Sequence, residues 1–208
     1  MKKVCVIPAR MNSKRFPGKV LSMLGDKPML QWIWDAANSC LDIDEVIFAI
    51  DDYKTANLIE SFKGSYAMTS PSCLNGTERL IELKKSGKVN GDIWINWQGD
   101  EPFIHQEMIQ NLLQSVKEKK YDIYSLKKRI NEKHEIEDPN IVKVVTGIDD
   151  QALYFSRSPV PYPRETSEKK RGVFYKHIGI YAYTDEALDK IAYLDPTPLE
   201  LTECLEQL

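Results

Sequence analysis

The sequence predicts an α/β fold, a parallel sheet covered by helices with a smaller β-rich lobe attached. Apolar runs of strand length recur at Val4–Ile7, Glu45–Ile50, Tyr66–Met68 and Asp92–Trp97. Segments of helical period lie between them, an alternation that lets a parallel sheet bury both faces. Beyond Asn131 the pattern changes, with strand-like segments following one another and little helix between.

Taken in order, the strand Val4–Ile7 runs into a loop and then into a helix over Lys27–Ser39. There Pro28 suits a first helical turn, and Leu30, Ile33, Trp34 and Ala37 share one face. Three more helices are expected over Tyr53–Phe62, Thr77–Lys85 and Gln106–Glu118, then a strand over Tyr121–Lys127. Glu132–Asp138 is polar, and Ile141–Val145, Ala152–Phe155 and Ile178–Tyr183 are the strands of the lobe, at about 131–184. Ser167–Gly172 reads as a charged, mobile surface loop. Helices return at Asp185–Ala192 and Leu199–Leu208, the last stopping on an apolar position without a glycine or polar tail.

A chain of 208 residues with 42% hydrophobic content can bury one full core, so a single domain over residues 1–208 is expected, the lobe inserted within it. With 28 basic against 31 acidic residues the net charge is -3, which gives the bulk surface no attraction for nucleic acid or an anionic membrane. No apolar run is long enough to span a bilayer. Only a few apolar residues precede Pro8 and Arg10, too few for a secretory signal, so a soluble cytoplasmic protein is expected. Cys5, Cys40, Cys73 and Cys204 are widely spaced and suggest neither a zinc site nor a disulfide framework.

The loop after the first strand, Pro8 to Lys19, carries Arg10, Lys14, Arg15 and Lys19 among residues that keep the backbone non-helical. Pro17 and Gly18 shape the turn, and small Asn12 and Ser13 leave amides open to an anion. By composition it could equally be a solvated basic loop. Its position at the carboxyl end of a first strand favours polyphosphate binding, because open α/β sheets hold ligands there. At the end of the fourth strand, Gln98-Gly99-Asp100-Glu101-Pro102 puts carboxylates at the same edge. Mg²⁺ takes one or two carboxylates together with phosphate oxygens, making Asp100 the first candidate ligand; turn residues are the alternative.

Asn75-Gly76-Thr77-Glu78-Arg79 opens a helix whose free amides suit an anion or a base carbonyl, or Thr77 is simply a cap. Arg157 and Arg164 flank an extended proline segment and could grip a carboxylate through paired donors, or be surface charges. His177, Gly179 and Tyr181 alternate on one strand and share a face; the histidine fits ligand contact or a structural role. The sequence contains no G-x-S-x-G, Walker or dinucleotide fingerprint.

Together these stretches resemble the CMP-Kdo synthetases, the 3-deoxy-manno-octulosonate (Kdo) cytidylyltransferases of lipopolysaccharide synthesis. The resemblance runs from residue 4 to 208 through PARMNSKRFPGK, DKPML, MTSPSCLNGTERL, NWQGDEPFI, DPNIVKVV, ALYFSRSPVPYPR, HIGIYAY and LEQL, in the family's order. It implies a Rossmann-like nucleotidyltransferase sheet, a homodimer formed through the β-rich lobe, and Mg²⁺-dependent coupling of CTP to Kdo. By motif it assigns Arg10 and Lys19 to the CTP phosphates and Ala9, Ser70, Gly76, Thr77 and Arg79 to the nucleotide pocket, with Arg15 also among the nucleotide-binding residues. Gln98, Arg157, Arg164, His177, Tyr181, Glu206 and Gln207 fall around the acidic sugar, and Asp100 on the metal. The catalytic set is then Arg10, Lys19 and Asp100. The family's pattern has Tyr-Ala or Tyr-Gly where this chain has Met11-Asn12. It also continues past LEQL to a V-D-T-P-E-D-L segment whose first aspartate is a second metal ligand, so an incomplete C-terminal end is expected. A cytidylyltransferase for another acidic sugar, 8-amino-Kdo or sialate-like, and a nucleotide-binding protein without turnover are the alternatives.

Overall fold

The computed structural model describes residues 1–11, 18–118, 120–164 and 173–208. The expectations for Arg15, for the rest of the segment from Asn12 to Pro17, and for the Ser167–Gly172 loop fall outside the described residues. The elements, in order, are β1 (Lys3–Ala9), a short 3-10 turn (Lys19–Leu21), β2 (Met23–Leu24), β3 (Lys27–Pro28), α1 (Met29–Ser39), β4 (Glu45–Ile50), α2 (Tyr53–Ser61), β5 (Tyr66–Met68) and α3 (Gly76–Ser86). There follow β6 (Ile93–Trp97), α4 (Gln106–Lys117), β7 (Ile123–Arg129), α5 (Lys133–Glu137), β8 (Lys143–Thr146), β9 (Ala152–Ser156), β10 (Tyr175–Thr184), α6 (Asp185–Ile191) and α7 (Pro198–Glu203).

The chain divides into two compact units, one of residues 1–124 and 179–194, the other of residues 125–178 and 195–208. In the first unit the strands lie in the order β5-β4-β1-β6-β10. The pairs β4–β5, β1–β4 and β1–β6 are parallel, and the C-terminal part of β10 runs antiparallel to β6, Tyr181 facing Asn96. β1, β4 and β6 are almost wholly buried, as a parallel sheet covered on both faces requires of its apolar runs. Side chains alternate between the two faces. Val4 and Val6 join Leu80 and Leu83 of α3 and Ala187 and Leu188 of α6 in one cluster. On β4, Phe48 stacks on Trp34 of α1, their rings 5.5 Å apart. The α1 residues Leu30, Ile33 and Ala37 are fully buried, as their spacing predicts. Pro28, however, lies just outside the helix, where it pairs with Met23 across the β2–β3 ribbon.

The second unit is antiparallel. Val144 of β8 faces Phe155 of β9 with an irregularity between Val145 and Thr146, and the N-terminal part of β10 meets β8 at Lys176 and Lys143. β10 begins at Tyr175, three residues before the strand expected at Ile178, and the polar Glu132–Asp138 segment contains a turn of helix, α5. The helix expected to run to Leu208 stops at Glu203 instead. Cys204 adopts φ 51°, ψ 51°, a left-handed C-terminal cap, and Leu205 turns inward to 6% exposure. The Leu208 carbonyl then accepts from Thr197 Oγ1 at 3.1 Å, closing the segment onto its own start. Burial of Leu205, which helical periodicity does not register, ends the helix.

All four cysteines are free thiols. No helix among the described residues is long and apolar enough to cross a membrane.

Candidate functional site

In the parallel register Ala9 lies beside Ile50, and Ile50 beside Met68, so the residues that follow these strands emerge at one edge. Ala9 is itself buried at 1% exposure. Arg10, exposed, donates from Nη1 to the Leu74 carbonyl at 3.1 Å. Gly18 sits at φ 72°, a left-handed conformation that favours glycine, and its N–H donates to the Met11 carbonyl at 3.2 Å. Lys19, the next residue, places Nζ 3.0 Å from Asp100 Oδ2; the two side chains are 40% and 51% exposed. A pair so exposed contributes under about 1 kcal/mol to folding, which leaves both charges available to a ligand.

Gly99 is what brings Asp100 there. Its N–H donates to the Pro8 carbonyl at 3.1 Å, and a Cβ at this position would stand 2.7 Å from that carbonyl oxygen. Only glycine lets the chain leaving β6 press this closely on the end of β1. Glu101 is half-buried and its carbonyl accepts from Trp97 Nε1 at 3.0 Å. Burial, and then the neighbouring Asp100 charge, push its carboxyl above the ordinary range against the opposing pull of Lys19. Among the described residues no group of three or more His, Cys, Asp or Glu side chains could hold a metal ion. The exposed Asp100 carboxylate is a hard oxygen donor of the kind Mg²⁺ takes alongside phosphate oxygens.

At the start of α3 the cap is Asn75, whose side chain accepts from the Glu78 N–H at 2.8 Å. Thr77 therefore does not cap; its buried hydroxyl lies 3.1 Å from the Tyr183 hydroxyl and 3.5 Å from Asn96 Nδ2. Gly76 and Gln98 meet here, since a Cβ on Gly76 would lie 2.7 Å from Gln98 Nε2, which donates to Asn96 Oδ1 at 3.1 Å. The Ser70 N–H donates to both Glu82 carboxylate oxygens, at 2.9 and 3.0 Å. Arg79, 2% exposed, pairs with Asp51 at 2.7 Å and also donates to Thr69 Oγ1 at 2.6 Å. Asp51 escaped the sequence reading, as did Asn96 and Tyr183. Its signal was positional: it directly follows an apolar strand of the parallel sheet, at the carboxyl end where ligands collect.

Tyr181, in the first unit, is 6% exposed and stacks on Tyr183 within the core cluster, ring centres 5.8 Å apart. Gln98 lies in the first unit as well, and Arg157, Arg164, His177, Glu206 and Gln207, also assigned to the sugar, lie in the second. There Arg157 donates to the carbonyls of Glu203 (2.6 Å), Pro139 (3.0 Å) and Cys204 (3.2 Å), while the Glu203 carboxylate accepts from the Ser156 hydroxyl and the Arg157 N–H. Those hydrogen bonds hold the Glu203 carboxyl below the ordinary range. His177 Nε2 lies 2.8 Å from Ser125 Oγ, and the ring meets Phe155 edge-on at 5.1 Å. Burial pushes its pKa down to about 4, so it is a neutral hydrogen-bonding group at pH 7. Arg164 is exposed, and Glu206 and Gln207 are half-buried after the α7 cap.

Comparison with known proteins places this geometry in context. The sequence profile of the cytidylyltransferase family matches residues 4–208. The 3-deoxy-manno-octulosonate cytidylyltransferase of Thermodesulfovibrio yellowstonii is 44% identical over 99% of this chain and 84% of its own length. That of Geobacter metallireducens is 41% identical over 100% of this chain and 85% of its own. A solved CMP:2-keto-3-deoxy-manno-octonic acid synthetase, complexed with CTP, superposes with a TM-score of 0.91 at 38% identity, covering 100% of this chain and 84% of that one. With the strand-end edge, the Gly99 approach and the Lys19–Asp100 pair in place, the chain belongs to the cytidylyltransferase family, among the 3-deoxy-manno-octulosonate cytidylyltransferases.

Proposed function

We propose that the protein transfers CMP from CTP to Kdo, releasing pyrophosphate, as a cytoplasmic Mg²⁺-dependent homodimer that serves lipopolysaccharide synthesis, pairing through its β-rich unit. The observation that carries the reading is the Lys19–Asp100 pair, 3.0 Å apart and exposed where β1 and β6 end. The anomeric hydroxyl oxygen of the sugar bonds to the α-phosphorus of CTP, the bond from that phosphorus to the pyrophosphate oxygen breaks, and the hydroxyl proton passes to solvent. Negative charge grows on the phosphates as this happens, so fixed cations lower the barrier. Arg10 and Lys19 serve that purpose, and Arg15 is assigned to nucleotide binding. When bound, Mg²⁺ supplies further neutralisation of the triphosphate, with Asp100 as its ligand from this chain.

The pocket for the nucleotide is assigned to Ala9, Ser70, Gly76, Thr77 and Arg79, and contacts to the acidic sugar to Gln98, Arg157, Arg164, His177, Tyr181, Glu206 and Gln207. No protein nucleophile is required. Pyrophosphate release from CTP with Mg²⁺ and Kdo tests the reading; the expected result is release that needs all three, and 8-amino-Kdo or a sialate in place of Kdo should compete poorly. Absence of release with Kdo would remove the proposal.

A further inference from the structure

Asp51 is one carboxylate with two attachments. Its Oδ1 accepts the Met11 N–H at 3.0 Å, and its Oδ2 accepts Arg79 Nη2 at 2.7 Å. Arg79 continues from Nη1 to Thr69 Oγ1 at 2.6 Å and to the Ser70 carbonyl at 3.4 Å, and Thr69 is tied in turn to the Ile50 carbonyl. Residues that follow β1, β4 and β5 thus converge with α3 on a single ion pair. Its side chains are 2% and 7% exposed, so the Arg79 guanidinium presents almost no surface to a ligand. The Met11 carbonyl accepts the Gly18 N–H at 3.2 Å, so Met11 is held through its N–H by Asp51 and through its C=O by the far end of the cationic loop. The amide that Asp51 holds is the one immediately after Arg10.

We infer that Asp51 is a positioning residue for nucleotide binding: it sets the backbone from which Arg10 departs, and Arg79 serves the nucleotide pocket through Asp51 and the Ser70 carbonyl. This rests on the reading of that edge as the CTP site. A buried guanidinium without its carboxylate is an uncompensated charge, so the pair also contributes to stability, and the test must separate the two roles.

Three measurements do so: amide exchange at Met11 in the unliganded wild-type protein, CTP affinity by calorimetry, and separate KM values for CTP and Kdo in Asp51→Ala and Asp51→Asn. In the wild type the Met11 amide should exchange at least about tenfold more slowly than an open amide, as a hydrogen-bonded group does. Asp51→Ala should raise the CTP Kd and KM about tenfold and leave the Kdo KM within about twofold, the loss of one charge-assisted hydrogen bond. Asp51→Asn keeps an oxygen for Met11 and should recover most of the CTP affinity while still melting lower than wild type. An open, fast-exchanging Met11 amide overturns the inference, and so does an Asp51→Ala protein that is folded with unchanged CTP affinity or with both KM values raised alike. Should Asp51→Ala not fold, Asp51→Asn and the wild-type exchange decide. A wild-type protein that neither binds CTP nor releases pyrophosphate defeats the proposed function instead, a result the Met11 exchange rate does not produce.

Discussion

The Lys19–Asp100 pair of the parallel unit and the Arg157–Glu203 cluster of the antiparallel unit use the same kinds of group for different ends. Lys19 and Asp100 touch each other at 3.0 Å with about half of each side chain in water. Arg157 spends its donors on three main-chain carbonyls, and Glu203 accepts from Ser156 and the Arg157 amide. An exposed pair exchanges partners at little cost, whereas donors already satisfied by carbonyls give them up only against the loss of those bonds. The first arrangement leaves both charges open to exchange, and the second ties a chain segment together.

The comparison is broken most directly by Lys19→Ala and Asp100→Ala. Each should lower kcat by a factor of about 10² or more while leaving the melting temperature nearly unchanged, because the pair gives little to folding and much to the charge that develops in the reaction. A variant that melts well below wild type would place Lys19 or Asp100 with the structural cluster.

The pH dependence of the second unit comes next in size. His177 has a pKa of about 4 in the fold against 6.5 unperturbed, so the unfolded chain binds the extra proton first. Stability is full above pH 6.5 and is lost as pH falls toward 4, by no more than about 3 kcal/mol. Thermal melts of wild type and His177→Asn between those limits measure it; parallel curves would show that His177 is not the group responsible.

Gly99→Ala sharpens the view of the edge itself. A Cβ 2.7 Å from the Pro8 carbonyl must displace backbone, so a loss of about 2 kcal/mol in denaturant unfolding is expected, with reduced turnover as Asp100 shifts. Arg157→Ala should have the smallest effect, raising the Kdo KM about tenfold with a lowered melting temperature, because the carbonyls of Glu203 and Cys204 lose their donors together. A raised KM with unchanged melting would mean that the side chain leaves its carbonyls for the ligand.

Much of the edge is legible in the sequence. Asp100 and Lys19 are legible because one is a carboxylate just past the fourth strand and the other a cation in the segment after the first, and a carboxylate and a cation at one rim have a ready chemical meaning. Asp51 carries the same positional signal but lies in an ordinary Asp-Asp turn ahead of a helix, where Asp52 supplies the cap. Nothing local separates the carboxylate that caps from the one that reaches Arg79, 28 residues away. Thr77 misled in the opposite direction, because a threonine at a helix start suggests a cap whereas its hydroxyl meets Tyr183, 106 residues on.

What the sequence determined by itself is the succession of strands and helices in the parallel unit, and with it the edge where ligand-seeking charges gather. Strand and helix periods are local and are written in the spacing of apolar residues. Only the tertiary structure decided which of those charges stay open and which are spent, and where α7 stops. The partner of a buried polar group is set by packing between segments distant in the chain, and each such group must find one.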